Sequence, residues 1–273
     1  MSNPLPRQLF NAKKVFIGVI HLPPLPGSPR FARTSGGNMD NVLAWAEAEA
    51  AVLTAGGAQG MIIENFGDAP FRIGRLDPVT VSAMTLAVQR VRQTTALPVG
   101  INMLRNDAAS ALGIAAATGA GFIRVNVHYG VMAADEGLVT GEASETLRQR
   151  EALGVDVKIL ADVLVKHAVP LGNQDLGLMA RETAQRGLAD GLIISGPATG
   201  LPTLRSDVAQ ARSAVPQGFI LVGSGVTESN ARELLAIADG AIGGTSLKQD
   251  GAITKPLDPQ RVKSMAKIFA ESS

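Results

Sequence analysis

The chain has 273 residues, 46% of them hydrophobic and 18% charged, and its 25 Lys+Arg nearly balance 24 Asp+Glu to leave a formal charge of +1. With no basic face, one Trp and one Tyr, it lacks the charge and the stacking surface that nucleic-acid binding draws on, and with no cysteine it excludes disulfides, thiolate zinc sites and a cysteine nucleophile. Met1 to Lys14 carries no apolar secretory core and no stretch approaches the ~20 apolar residues that span a bilayer, so a cytoplasmic protein with at most peripheral membrane contact is expected.

Residues 1–13 read as an N-terminal extension. The first strand, Val15–His21, runs into a proline-rich loop, Leu22-Pro23-Pro24-Leu25-Pro26-Gly27-Ser28-Pro29. An Ala-rich stretch with helical spacing follows over Met39–Ala55, then strand two at Gly60–Asn65 and a long loop, Phe66–Leu76. Asp77-Pro78 opens the next helix, with Asp suited to the N-cap and Pro to the first helical position. Strand three spans Val99–Leu104; Asn106-Asp107 caps a helix over Ala108–Thr118 that Gly119 ends in the left-handed conformation. Strand four is expected at Phe122–His128, a helix at Glu142–Leu153, strand five at Val157–Val165, a helix at Asp175–Arg186, strand six at Gly191–Ser195 and a helix at Leu204–Ala214. Strand seven, Ile220–Gly223, leads to a helix over Glu228–Ala238 capped by Thr227; strand eight, Gly240–Gly243, leads to Asp258-Pro259 and a last helix over Gln260–Ala270.

Runs such as Met61-Ile62-Ile63 and Leu192-Ile193-Ile194 are apolar on consecutive positions, the mark of parallel strands covered on both faces. Eight strand–helix units without a linker predict one (β/α)8 barrel domain over residues 1–273. A doubly wound open sheet shows the same alternation, but no Gly-x-Gly-x-x-Gly turn follows strand one.

Two glycine-rich strand ends make the sharpest local signal. Strand seven ends in Gly223, Ser224 and Gly225, and strand eight in Gly243, Gly244, Thr245 and Ser246, with Lys248 beyond. Barrels often bind phosphate at the loops after strands seven and eight, because glycines let backbone N–H groups converge on an anion. One glycine pair alone would indicate only a tight turn; two at these positions predict a phosphate site, with Lys248 able to add charge.

The other strand ends turn polar after apolar interiors. His21 ends strand one, Glu64-Asn65 end strand two, and Asn102 lies in strand three. Arg124, Asn126 and His128 alternate along strand four and so share a face; Asp162 lies in strand five, with Lys166-His167 just after it, and Ser195-Gly196 end strand six. The candidate catalytic set is His21, Glu64, Asn102, Asn126, His128, Asp162 and Lys166. Glu64 or Asp162 could serve as general base with His21 or His128 as acid, or Lys166 as a Schiff-base amine. Each residue also has a structural reading: a hydrogen-bonded histidine, or a carboxylate paired inside the barrel with Arg124 or Lys166. No cofactor is expected. A divalent metal on histidine and carboxylate is the least favoured option, since strand one has no His-x-His and the chain no His-Glu-x-x-His.

The opening segment Val19-Ile20-His21-Leu22-Pro23-Pro24-Leu25-Pro26-Gly27-Ser28-Pro29 resembles the signature of the BtpA/SgcQ family. Glu64-Asn65-Phe66-Gly67-Asp68-Ala69-Pro70-Phe71, Val125-Asn126-Val127, Ala161-Asp162-Val163 with Lys166-His167-Ala168, Gly223-Ser224-Gly225-Val226 and the stretch from Asp239-Gly240 through Gly244-Thr245-Ser246-Leu247-Lys248 look like the same family. The resemblance runs from about Lys14 to Phe269 and implies a barrel of the ribulose-phosphate-binding style. One branch of the family takes its name from photosystem I biogenesis at the thylakoid membrane, another from a sugar-utilisation gene region.

Three functions follow as expectations: an enzyme working on a small phosphorylated metabolite by acid–base chemistry, a peripheral assembly factor for a membrane complex, or a phosphate-ligand sensor without turnover. A homo-oligomer is expected. The loops Leu22–Pro29 and Phe66–Leu76, with Gly27, Gly36-Gly37 and Gly67, are positioned either to move over the mouth or to stand as rigid walls.

Overall fold

A computed structural model describes residues 5–172, 174–196 and 202–272; residues 1–4 of the N-terminal extension lie outside the described residues. The chain opens with helix α1 (Leu5–Phe10) and strand β1 (Val15–His21), then α2 (Phe31–Thr34), α3 (Met39–Gly56), β2 (Gly60–Glu64), α4 (Pro78–Thr94), β3 (Val99–Asn102), α5 (Ala108–Thr118) and β4 (Phe122–Val125). A hairpin of β5 (Val131–Ala134) and β6 (Gly137–Thr140) precedes α6 (Ala143–Ala152), β7 (Lys158–Val163), β8 (Ala168–Pro170), α7 (Leu176–Gln185) and β9 (Gly191–Ile194). The chain continues through α8 (Arg205–Ala214), β10 (Ile220–Val222), α9 (Ala231–Leu235), β11 (Gly240–Gly243) and α10 (Pro259–Glu271).

Strands β1, β2, β3, β4, β7, β9, β10 and β11 close a parallel barrel in that order, with β11 pairing back to β1. These are the eight strands expected from the apolar runs, in the expected order. Their outward side chains, among them Phe16, Ile20, Ile63 and Ile101, pack under the helices, while the inward ones form a second cluster including Ile17, Ile62, Phe122, Leu160, Ile193 and Ile242. Gly100 makes that interior possible at one point: a Cβ there would sit 2.2 Å from the Phe122 ring.

Helix α1 closes the N-terminal end of the barrel. Its Phe10 meets Phe122 edge-on at 5.4 Å between ring centroids and lies 6.1 Å from Phe219, joining the interior cluster together with Leu5.

Local signals set most element ends. Asp107 accepts hydrogen bonds from the Ser110 N–H (3.0 Å) and hydroxyl (2.6 Å), and Gly119, at φ 73°, ends α5. Asp258 accepts from the N–H groups of Gln260 (2.8 Å) and Arg261 (3.3 Å). Asp77, in contrast, caps nothing with its side chain, which pairs with Arg72 at 2.6 Å. The helix expected over Glu228–Ala238 shrinks to Ala231–Leu235, preceded by a turn in which the Asn230 and Ala231 N–H groups donate to the Thr227 carbonyl and the Asn230 side chain accepts from the Thr227 N–H (2.9 Å).

Two further differences bear on the mouth. Strand four stops at Val125, three residues short of His128. The next segment forms β5 and β6, which with β8 make a small antiparallel sheet beside the mouth, packed on Val127, Met132, Val139 and Val165.

Removing the plug should cost the barrel much of its stability. Phe10→Ala is expected to lower the unfolding free energy by about 3–5 kcal/mol, the usual cost of truncating a buried aromatic, with urea denaturation as the check.

Candidate active site

The barrel's inward positions switch from apolar to polar at the C-terminal strand ends. His21, Glu64 and Asn102 stand in register across β1, β2 and β3. Arg124, Asn126, Asp162 and Ser195 continue the ring from β4, β7 and β9, and Gly223 and Gly244 open it at β10 and β11. Burial at the end of a closed barrel sets the physics: a charge there needs a partner.

Arg124 and Asp162 supply the strongest pair. The guanidinium donates from Nε to Oδ2 and from Nη2 to Oδ1 of Asp162, both at 2.9 Å. Asn126 Nδ2 donates to Oδ2 at 2.9 Å and the Ser195 hydroxyl to Oδ1 at 3.2 Å, so the carboxylate accepts four hydrogen bonds. The two side chains are 3% and 0% exposed. Burial works against the Arg124 charge, but Asp162 more than offsets it and leaves the guanidinium pKa above its ordinary value. A carboxylate so saturated has no free lone pair facing a substrate. Asp162, expected as a possible base, holds Arg124 and Asn126 in place instead.

Glu64 is differently placed. It is buried, and Oε2 accepts from Asn102 Nδ2 at 2.7 Å. It lines the same cavity as His21, Arg124 and Lys166. His21 packs edge-on against Phe66, 5.0 Å between centroids, and its Nδ1 is buried without a hydrogen-bond partner. Burial, only partly countered by Glu64 and reinforced by Lys248, Lys166 and Arg124, pushes its pKa down to about 4. His21 is therefore neutral near pH 7, with one ring nitrogen a donor and the other an acceptor. Burial and the Arg124 charge also lower the Lys166 amine, against the pull of Glu64 and Asp162. That raises its neutral, nucleophilic fraction.

The glycine-rich strand ends form the wall opposite. Gly223, Ser224, Gly225, Gly244, Thr245 and Ser246 line one cavity of about 180 Å³ with His21, Glu64, Arg124 and Lys166. Gly225 lies at φ 65°, and its carbonyl is held by Asn230 Nδ2 at 2.9 Å. At Gly244 a Cβ would sit 3.0 Å from His21 Cε1, so glycine keeps backbone and imidazole close. The Ser224 hydroxyl accepts the Gly196 N–H at 2.9 Å, tying the end of β9 to this wall.

Three expectations fail on position. His128 does not reach the mouth: the chain leaves the strand before it, and the ring shares a 2.7 Å hydrogen bond with the Gly187 carbonyl under α7. Gly243 faces outward, where a Cβ would meet Leu247 and Phe16, and so serves packing. Lys248 is fully buried behind the wall, paired with Glu49 and lying over the Trp45 ring at 5.3 Å, and does not line the glycine-walled cavity.

The structure also brings in residues that strand ends could not reveal. A neighbouring cavity shares Glu64, Arg124 and Lys166, includes the His167 expected just beyond strand five, and adds Arg105, Asp135 and Glu136. Arg105 Nε lies 3.7 Å from Glu136 Oε2, an ion pair too long for a hydrogen bond, and Arg105 Nη2 donates to the Lys166 carbonyl at 3.0 Å. Asp135 and Glu136 occupy the turn of the β5–β6 hairpin; Asp135-Glu136-Gly137 between two short apolar runs was the available signal. The proline-rich loop is pinned as a wall. Leu25 N–H donates to Asp68 Oδ1 at 2.7 Å, and Gly67 N–H to the Leu22 carbonyl at 3.0 Å. Among the described residues no three metal-ligating side chains converge and no helix is long and apolar enough to cross a membrane.

Two measurements probe this arrangement. Asp162→Ala strands a buried guanidinium and should destabilise the fold by about 3–5 kcal/mol in urea denaturation. A double substitution, Asp162→Leu with Arg124→Met, should recover most of that loss. His21, with its folded pKa of about 4 below the unfolded value near 6.5, leaves the unfolded state binding more protons between those limits. Stability should thus fall as pH drops from about 6.5 to about 4, and His21→Gln should flatten that slope in thermal melts.

The BtpA family profile matches residues 12–271. The chain is 51% identical over 264 residues to the photosystem I biogenesis protein BtpA of Synechocystis, covering 97% of this chain and 91% of that one. It is 32% identical over 257 residues to the sgc region protein SgcQ of Escherichia coli, covering 94% of each. Among solved structures, N-(5′-phosphoribosyl)anthranilate isomerase from Pyrococcus furiosus superposes with a TM-score of 0.56 at 11% identity, over 94% of this chain and 98% of that one. That likeness concerns the fold: a (β/α)8 barrel. By sequence and architecture together, the chain belongs to the BtpA family.

Proposed function

We propose that this barrel is a cytoplasmic enzyme acting on a small phosphorylated metabolite, of sugar-phosphate type, by acid–base chemistry. The observation that carries the proposal is the shared cavity: the glycine-rich wall of Gly225, Gly244, Thr245 and Ser246 faces Glu64, His21 and Lys166 across the same space. Phosphate sits against the glycines, where backbone N–H groups approach without Cβ obstruction. Arg124 supplies a permanent positive charge at the cavity wall, fixed by Asp162.

Glu64 is the base of this reading. Asn102 orients it through one oxygen, and it removes a proton from the carbon end of the ligand. Neutral His21 donates to, or accepts from, the oxygen that gains or loses charge, as an imidazole with one N–H does. Lys166, with its lowered pKa, relays a proton or attacks a carbonyl. Proton abstraction next to a carbonyl is the step common to isomerase, epimerase and lyase chemistry.

A second reading rests on the 51% identity to a photosystem I biogenesis protein: a peripheral assembly factor for a membrane complex. It is separated from the first by gene deletion. Membrane complexes unchanged in amount in the deletion strain count against it, and their selective loss with no metabolite accumulating counts against the enzyme.

Two measurements test the enzyme directly. Ribose 5-phosphate and related sugar phosphates at about 100 times Kd should stabilise the protein by about 2.7 kcal/mol, read as a rise in Tm. Ser246→Glu, which sets a negative charge at the proposed anion wall, should abolish that rise. In D2O the true substrate should exchange a carbon-bound hydrogen for deuterium, and Glu64→Gln should slow exchange by about 10²–10⁴-fold. No Tm response to any phosphorylated sugar would overturn the proposal.

A further inference from the structure

A second cavity, of about 430 Å³, opens beside the first and shares only His21 with it. Its apolar walls are Leu22, Pro23 and Pro24 from the proline-rich loop, Trp45 from α3, Phe66 from the loop after β2, and Ile253, with Arg30, Ser35 and Asn41 adding polar groups to the lining. The anion cavity alone, at about 180 Å³, is below the roughly 300–1,000 Å³ of ordinary small-molecule sites, whereas the apolar one lies within that range. A plain sugar phosphate would fill the polar space and leave this apolar lobe to water.

The apolar walls are fixed in advance. The Trp45 indole N–H donates to the His21 carbonyl at 3.1 Å, tying the ring to the end of β1. The buried Lys248 ammonium stands over the same ring at 5.3 Å and is itself held by Glu49, whose other oxygen accepts the Leu257 N–H at 2.7 Å. Phe66 is braced between His21 and Phe71, at 5.0 and 6.3 Å between centroids. Gly67 passes so near the loop that a Cβ would sit 2.3 Å from Pro24 N. Prefixed aromatic walls favour a rigid planar partner, because little side-chain freedom is lost on contact. At the partition, His21 lines both lobes, and its Nδ1 is buried without a hydrogen-bond partner.

Building on the phosphate site proposed above, we propose that the ligand is bipartite: a phosphate monoester carrying a planar aromatic or heteroaromatic ring, the phosphate against Gly225 and Gly244–Ser246 and the ring between Trp45 and Phe66. His21 stands at the junction, beside the bond or short linker that joins the two parts. This substrate class is narrower than simple sugar phosphates.

Trp45 is the only tryptophan in the chain, so its emission reports on this lobe alone. The test compares inorganic phosphate, ribose 5-phosphate and adenosine 5′-monophosphate on the full-length protein, with Kd from calorimetry and Trp45 emission recorded in parallel. The ring-bearing probe is expected to bind at least tenfold more tightly than ribose 5-phosphate and to quench or shift Trp45 emission. In Phe66→Ala, and independently in Ile253→Gln, the affinity ratio of the two probes should fall below threefold. Ribose 5-phosphate binding with no advantage for the ring and no change at Trp45 overturns the bipartite ligand and leaves the phosphate site standing. Binding of none of the three probes overturns both.

Discussion

Everything at the mouth of this barrel depends on one buried ion pair. Arg124 and Asp162 come from neighbouring strands, and inside a closed barrel neither charge survives without the other. Once paired, they create an order. Asp162 spends its acceptors on Arg124, Asn126 and Ser195, and so becomes a support. Burial, with Arg124 as a fixed charge adding to it, biases Lys166 and His21 toward their neutral forms. Glu64, held by Asn102 from the next strand, is the carboxylate with room to act. Two carboxylates of the same ring thus receive different roles from their hydrogen bonds.

Much of the fold was legible because its signals are local. Continuous apolar runs such as Leu192-Ile193-Ile194 mark buried parallel strands, and Asp107, Gly119 and Asp258 mark helix ends where the structure has them. The illegible parts are those that local signals do not control. The strands of the β5–β6 hairpin have four residues each and β8 has three, too short for alternation to declare them, and β5 pairs with β8 across a long sequence separation. Thr227 looked like a cap, but its hydroxyl pairs with the Ser229 hydroxyl at 2.9 Å instead of a backbone N–H.

The same distinction runs through the site. His21, Glu64, Asn102 and Asp162 follow from parity within their strands, and Asn126, Gly223 and Gly244 keep that parity one residue past the strand end. His128 shows the limit: its parity matched Arg124 and Asn126, but the strand had ended at Val125. Lys248 failed for a related reason, since the turn after Ser246 carries it behind the barrel wall toward Glu49. Trp45 sits in a helix that reads as ordinary core-packing sequence, and only the end of β1 reveals where its indole goes.

The chain therefore combines a widely used barrel with a mouth divided into a glycine-walled corner, a ring of polar and ionisable side chains and an apolar lobe. The most direct measurement is a crystal structure grown with millimolar ribose 5-phosphate. Electron density for the phosphate between Gly225 and Gly244–Ser246, with the sugar carbons turned toward Glu64 and Lys166, is the predicted result. An empty corner at that concentration, or phosphate bound elsewhere with Glu64 and Lys166 untouched, would contradict it.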